Sequence, residues 1–238
     1  MCTDPRQQLV EQGFAIIDKC YDESALARII EIIDKADQAK ANFRNSGDLF
    51  AVRHFLMELP ESIPHIFNGE LKELIQQVSG KKQFVIKSIY FDKPERSNWY
   101  VPYHQDLKIE VDRKIEIGGF SHWTLKQGRF SVQPSLDILD NILTIRIHLD
   151  DTDAENGALK VIPRSHRKGI YRPETIDWQQ EEEVICAVPK GGLMLMKPLL
   201  VHSSSRATNQ KRRRVIHIEC TDLGLPCGLE WAEKQLIF

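Results

Sequence analysis

The sequence predicts a mainly β fold (a sandwich, barrel or jelly roll) with helices flanking it at the N-terminal end. Three observations carry that prediction. After Gly80, segments that alternate apolar and polar residues follow one another: QFVIKSIYFD (83–92), NILTIRIHLDD (141–151), GALKVIP (157–163) and EEVICAVP (182–189). Pro, Gly and Asp turns separate them, as they separate the short strands of all-β domains. The clear helical periodicities lie before residue 80, and this segregation disfavours a parallel doubly wound sheet.

In chain order, residues 5–12 read as a short helix ended by Gly13, and GFAIIDK (13–19) as a strand. DESALARIIEIIDKADQAK (22–40) reads as the strongest helix. Asp22 suits its N-cap, and Leu26, Ile29, Ile30 and Ile33 form one apolar stripe. LKELIQQVSG (71–80) repeats the pattern, with Gly80 where a helix stop belongs. GGLMLMKPLLVH (191–202) and RRVIHIEC (213–220) read as the last strands. Residues 107–140, which combine charge, glycine and aromatics, and the polar, turn-rich 164–181 stand apart as connections of the kind used as lids, binding loops or plain surface insertions. A chain of 238 residues, 42% apolar, fits one domain. In it, 1–80 is a helical brace, 83–220 the core, and 107–140 a lid-like insertion.

The formal charge of −2 gives no bulk attraction to nucleic acid or membranes, and no apolar run approaches a spanning length. The polar start MCTDPRQQLVEQ lacks a signal-peptide pattern. The five cysteines (2, 20, 186, 220 and 227) are odd in number and lack CxxC spacing. That argues against disulfides or a thiolate zinc site and for the reducing cytoplasm. The oligomeric state is not legible.

The stretch YHQD (103–106) places His104 and Asp106 two apart, so in an extended segment both leave the same face. His148-Leu149-Asp150 and His217-Ile218-Glu219 share that spacing, so a third ligand must discriminate. Two imidazoles and one carboxylate on one octahedral face leave positions open and suit non-haem Fe(II). His202, at the end of an apolar strand, completes either His104 or His148. No histidine follows His217, so Glu219 cannot open such a series. In 213–220, Arg213, Val215, His217 and Glu219 share one strand face, while Arg214, Ile216, Ile218 and Cys220 share the apolar one that belongs on the core. Arg213 then offers a bidentate fork for a carboxylate, against the plainer reading of KRRR as a solvated turn.

The sequence resembles the phytanoyl-CoA dioxygenase family of Fe(II)/2-oxoglutarate-dependent oxygenases. The resemblance runs through FDKP (91–94), NWYVPYHQD (98–106), LDDTDAENGALKVIPRSH (149–166) and HSSSRATNQKRRRVIHIE (202–219), and more weakly through GFAIID near the start. It implies a double-stranded β-helix, the cupin-like jelly roll. It matches His104, Asp106 and His202 to the iron ligands and Arg213 to the arginine that grips the distal carboxylate of 2-oxoglutarate. Ser204 falls where the family carries a serine sharing that job, and Ile89 near a position lining the cosubstrate. Thr144 is a further cosubstrate candidate. Arg53, Lys93, Gln133 and Arg146, together with Lys87, are candidates for a polar substrate pocket that His122 and Trp123 would close.

The implied activity is a hydroxylase that uses Fe(II), 2-oxoglutarate and O2, with ascorbate as reductant, on a small molecule, releasing succinate and CO2. Asp106 favours hydroxylation or another oxidation over halogenation, because related halogenases lack this carboxylate, and no acid–base pair is required. One departure is Arg146, which stands where the family often has an aromatic. It reads either as a ligand contact or as a buried ion pair with Asp150 or Glu219. DTDAENG is not a calcium loop, since its glycine comes one place late and Ile162 stands where the closing glutamate belongs. Two rival readings are a non-catalytic jelly-roll protein binding a metal or metabolite, and a zinc hydrolase on the same triad, which gives Arg213 no role.

Overall fold

The structure, a computed structural model, describes residues 4–36, 42–45, 50–94, 100–126 and 128–238. Its strands are β1 (Phe14–Ile17), β2 (Phe43–Asn45), β3 (Phe50–Arg53), β4 (Phe84–Lys93), β5 (Val101–His104), β6 (Ile109–Val111), β7 (Ser121–Lys126) and β8 (Arg129–Gln133). After them come β9 (Leu143–His148), β10 (Leu159–Val161), β11 (Val184–Cys186), β12 (Leu193–Met196), β13 (His202–Ser204), β14 (Arg213–Thr221) and β15 (Gln235–Leu236). A major antiparallel sheet runs β1–β12–β9–β14–β4–β3–β2, with β15 on β4, and a minor one runs β11–β10–β13–β5. The two make the jelly roll.

The helices lie where the apolar stripes put them. Helix Glu23–Asp34 starts at Asp22, whose side chain accepts from the Ala25 N–H, and it buries Leu26, Ile29 and Ile33. It ends six residues before the expected boundary, and residues 37–40 lie outside those described. Helix Gly69–Ser79 is capped by Asn68 and closed by Gly80 at φ 74°, and it buries Leu71, Ile75 and Val78. These side chains pack on Ile145, Ile147, Leu193, Leu195, Ile216, Ile218 and Cys220, the outward face of the major sheet. The inward face of β12, Met194 and Met196, packs instead on Leu159, Val161 and Cys186 of the minor sheet. Each such side chain contributes roughly 1.5–3 kcal/mol on burial.

Three expectations change. The front third is not purely helical, because β2 and β3 extend the major sheet. GGLMLMKPLLVH is not one strand. It breaks after Met196 into a turn closed by Leu200 N–H to the Lys197 carbonyl, and Pro198 in that turn cannot donate to a ladder. The break carries the chain from the major to the minor sheet and delivers His202 there. Residues 107–140 are not irregular either. They form a third sheet, β6–β8–β7, and the helix Leu136–Asn141, over a cluster that includes Ile109, Val111, Val132, Leu139 and Trp231. Among the described residues no helix is long and apolar enough to cross a membrane.

Candidate metal centre and anion pocket

β5 and β13 are neighbours, and their register sets His104 opposite His202, with ring centroids 4.2 Å apart. Backbone carbonyls aim both rings: Nδ1 of His104 lies 2.8 Å from the Pro102 oxygen, and Nδ1 of His202 lies 2.9 Å from the Leu200 oxygen. A carbonyl only accepts, so each Nδ1–H donates and each Nε2 keeps its lone pair for a ligand. Both Nε2 atoms face the Asp106 carboxylate, at 3.8 Å from His104 and 3.7 Å from His202. The three donor atoms lie within 4.8 Å of one another.

The intervening Gln105 explains why this corner is rigid. Its amide nitrogen donates to the Leu199 carbonyl at 2.6 Å and the Gly169 carbonyl at 2.9 Å, and its oxygen accepts from the Tyr171 N–H at 2.8 Å. The Asp106 N–H donates to the Pro198 carbonyl at 2.9 Å. The His-x-Asp corner is thereby tied both to the turn before His202 and to the 164–181 segment. Sequence reasoning gave Gln105 no task; its only signal was a polar residue facing away from the paired His and Asp.

Charge states suit a cation. Burial holds the His202 imidazole down at about 4, although Asp106 pulls the other way. Burial opposes charge on Asp106 too, but His202, His217, Lys87 and His104 outweigh it and hold the carboxyl down at about 2. A neutral imidazole at His202 beside an ionised carboxylate at Asp106 is what a divalent metal requires.

The rival pair is not arranged this way. His148 sits 2.7 Å from the Thr152 hydroxyl through Nδ1, and Asp150 is gripped by the Arg214 guanidinium at 2.7 and 2.8 Å. His217 and Glu219 do approach Asp106 closely enough to form a second donor group. However, Lys87 holds Glu219 at 2.7 Å, and His217 is bonded to Glu219 at 3.1 Å and to Arg146 at 3.2 Å.

His104, Asp106 and His202, with His217 and Glu219, line one cavity of about 700 Å³, a size usual for small-ligand sites. At one end stands Arg213, opposite Lys93 in the β14–β4 register. Its guanidinium donates to the Gly157 carbonyl and lies 3.5 Å from the Ser204 hydroxyl, which itself donates to Gly157 at 2.9 Å. Its buried Nε has no hydrogen-bond partner among the described residues. Burial, aided by the neighbouring Arg146 charge, lowers Arg213 to about 9, still cationic at neutral pH. Gly157, weighed in the sequence only as part of a rejected calcium loop, has φ 84°, and a Cβ there would lie 2.7 Å from the Ser205 carbonyl oxygen and 2.9 Å from Lys93 Nζ. Only glycine brings that carbonyl to Arg213 without displacing backbone.

Ile89, Arg53, Lys93, Gln133, Arg146, Lys87 and His122 are all on the cavity wall. Thr144 is not: it is fully buried one layer deeper, where the register puts it between Glu219 and Met196. Trp123 packs on the apolar cluster of the third sheet instead of closing the cavity. Neither ion pair expected for Arg146 forms, since Asp150 and Glu219 are held by Arg214 and Lys87.

With this geometry in hand, comparison with known proteins is informative. The family model described as phytanoyl-CoA dioxygenase (PhyH) matches residues 9–215. The phytanoyl-CoA dioxygenase domain-containing protein 1 homolog of Caenorhabditis elegans is 22% identical over 203 residues, covering 76% of this chain and 60% of the relative. This chain thus spans less than two thirds of that protein. The homolog from Caenorhabditis briggsae is 22% identical over 265 residues, covering 91% of this chain and 90% of the relative. Among solved structures, EctD from S. alaskensis with 2-oxoglutarate and 5-hydroxyectoine superposes with a TM-score of 0.69 at 15% identity, covering 93% of this chain and 76% of that one. The epimerase SnoN with Fe3+, alpha ketoglutarate and nogalamycin RO does so with a TM-score of 0.66 at 13% identity, covering 98% and 93%. At such identities these two structures establish the shared fold.

Proposed function

This chain belongs to the phytanoyl-CoA dioxygenase family, and from that premise we propose that it is an Fe(II)- and 2-oxoglutarate-dependent dioxygenase that hydroxylates a small molecule. The observation that carries the reading is the convergence of His104, Asp106 and His202, with both Nε2 lone pairs free and aimed at the carboxylate. This donor set of two imidazoles and one carboxylate fits Fe(II). The unpartnered Nε of Arg213, with the Ser204 hydroxyl beside its guanidinium, fits the distal carboxylate of 2-oxoglutarate. Bound together, Fe(II), 2-oxoglutarate and O2 supply the oxidising power, with release of succinate and CO2.

The protein's own part is orientation. His104, Asp106 and His202 present one face of donors and leave the opposite side to the cavity. Arg213 and Ser204 hold a diacid at a fixed distance from that face, and Ile89 covers its flank. Arg53, Lys93, Gln133 and Arg146 are the substrate-facing polar groups. The ionised carboxylate at Asp106 occupies the position a halide would need, which favours hydroxylation. No side chain has to move a proton. We read 1–238 as one oxygenase domain, because the metal ligands come from the minor sheet and the chain following it, and Arg213 and Ile89 from the major sheet. The cytoplasm, where ascorbate-like reductants keep iron ferrous, is the proposed compartment.

The test is succinate release by purified protein with Fe(II), 2-oxoglutarate and ascorbate. Slow release occurs without a prime substrate, and His104→Ala and Asp106→Ala abolish it. Metal and 2-oxoglutarate binding with no O2 consumption under any substrate mixture would instead mark a binding protein. Zinc-supported hydrolysis indifferent to 2-oxoglutarate would mark a hydrolase.

A further inference from the structure

The acids that line the cavity, Asp106, Glu110 and Glu219, are all engaged, and one deeply buried guanidinium is left without an ion pair among the described residues. Glu219 pairs with Lys87 at 2.7 Å. Glu110 lies 3.5 Å from Arg53 and 3.1 Å from His54. Under the function proposed above, Asp106 and one carboxylate of 2-oxoglutarate compensate the metal, and the other carboxylate compensates Arg213. Arg146 remains. It is 8% exposed, it lines the cavity, and no ion pair holds it among the described residues. Its Nε is buried without a hydrogen-bond partner among the described residues. An uncompensated buried charge is costly, and proteins keep one where a ligand supplies the counter-charge.

Arg146 is also held in place. Its Nη1 lies 3.2 Å from His217 Nδ1, which can only accept from a guanidinium, so the ring proton sits on Nε2. Nε2–H then donates to Glu219 at 3.1 Å, and Glu219 accepts from Lys87. The chain Lys87–Glu219–His217 thus orients the arginine through a hydrogen bond while its own charges cancel internally. That is the construction of a preorganised anion receptor: fixed geometry with charge left over. The register places Arg146 opposite His217, four residues along β14 from Arg213, so the two guanidiniums enter the cavity at separate levels.

We propose that the prime substrate is a small anionic molecule and that Arg146 receives its carboxylate or phosphate group. The inference rests on the dioxygenase reading for the assignment of the other anions. It predicts a polar, charged substrate over a neutral apolar one, and it makes Arg146 a specificity-determining residue.

The test uses thermal shift and calorimetry on the whole chain loaded with Mn(II) and N-oxalylglycine, titrated with inorganic phosphate or acetate against chloride of equal ionic strength. Expected for the loaded wild type is a saturable rise in Tm with phosphate, acetate or both, and the stronger of the two names the anion. Arg146→Gln weakens that affinity at least tenfold more than it weakens 2-oxoglutarate binding, and Arg146→Lys recovers part of the loss. In the metal-free protein Arg146→Met raises Tm, because the uncompensated charge is gone. The inference is overturned if neither anion binds the wild type above chloride or if Arg146→Gln binds both as well as wild type does. It is likewise overturned if 2-oxoglutarate affinity falls more than anion affinity, which would make Arg146 a cosubstrate residue, or if Arg146→Met lowers Tm as a structural arginine would. If Mn(II) and N-oxalylglycine fail to bind the wild type, the dioxygenase reading falls, and the phosphate and acetate titrations of metal-free Arg146 variants still decide this one.

Discussion

Acidifying the metal-free protein from pH 7 to pH 5 will destabilise it through His202, and replacing that residue by glutamine will remove the effect. Burial holds the His202 imidazole at about 4 in the fold, against about 6.5 in an unfolded chain. Between those values the unfolded state binds the extra proton and the folded state refuses it, so stability falls as pH drops through the window. At pH 5 the cost is the distance from 6.5, roughly 2 kcal/mol, and it approaches 3 kcal/mol near pH 4. His148, pushed well below its ordinary value by burial and by Arg146 and Arg213, acts in the same direction. Glu233, raised by burial, acts in the opposite one, which is why the comparison must be between wild type and His202→Gln. Asp106 contributes at lower pH, because its window lies between its ordinary value and about 2. Urea unfolding at pH 7, 6 and 5 with a chelator present measures the difference. The wild type should lose about 2 kcal/mol more than His202→Gln on going to pH 5. Parallel pH dependences in the two proteins would refute the claim that His202 is buried deprotonated, and with it the argument that the site awaits a cation.

Other perturbations follow from the same geometry. Arg213→Met should weaken 2-oxoglutarate binding to the Mn(II)-loaded protein by about 100-fold, equivalent to roughly 3 kcal/mol for one partner of a buried charge pair, as read by calorimetry. His104→Ala should abolish Mn(II) binding by equilibrium dialysis, whereas His148→Ala should retain it; the reverse pattern would mean that the wrong pair has been chosen. Gly157→Ala, which touches no ligand, should lower 2-oxoglutarate affinity by pushing the carbonyl that holds Arg213, and a variant binding like wild type would show that this carbonyl does not position the arginine.

Much of the architecture is legible in local pattern. The stripe Leu26, Ile29, Ile33 and the alternation of Ile145, Ile147 against Thr144, Arg146, His148 are periodic over a few residues, and both went to the predicted faces. The segment 107–140 was harder, because charged and aromatic residues interrupt the alternation and its apolar side chains find partners in the distant Trp231. The break in GGLMLMKPLLVH hides for a similar reason: Pro198 punctuates it, but an apolar run on both sides reads as continuous strand.

For the site, the sequence by itself determined which residue types were on offer: two histidines and a carboxylate at suitable spacing, and an arginine beyond the second histidine. Tertiary structure alone decided that His104 and not His148 meets His202, because that choice is made by the pairing of β5 with β13. It also decided that Arg146 pairs with neither Asp150 nor Glu219, since these are claimed by Arg214 and Lys87. Spacing along a chain fixes the face on which a side chain emerges. Which partner it meets depends on strand pairings between distant segments and on competition among charges, and neither is a local property of the sequence.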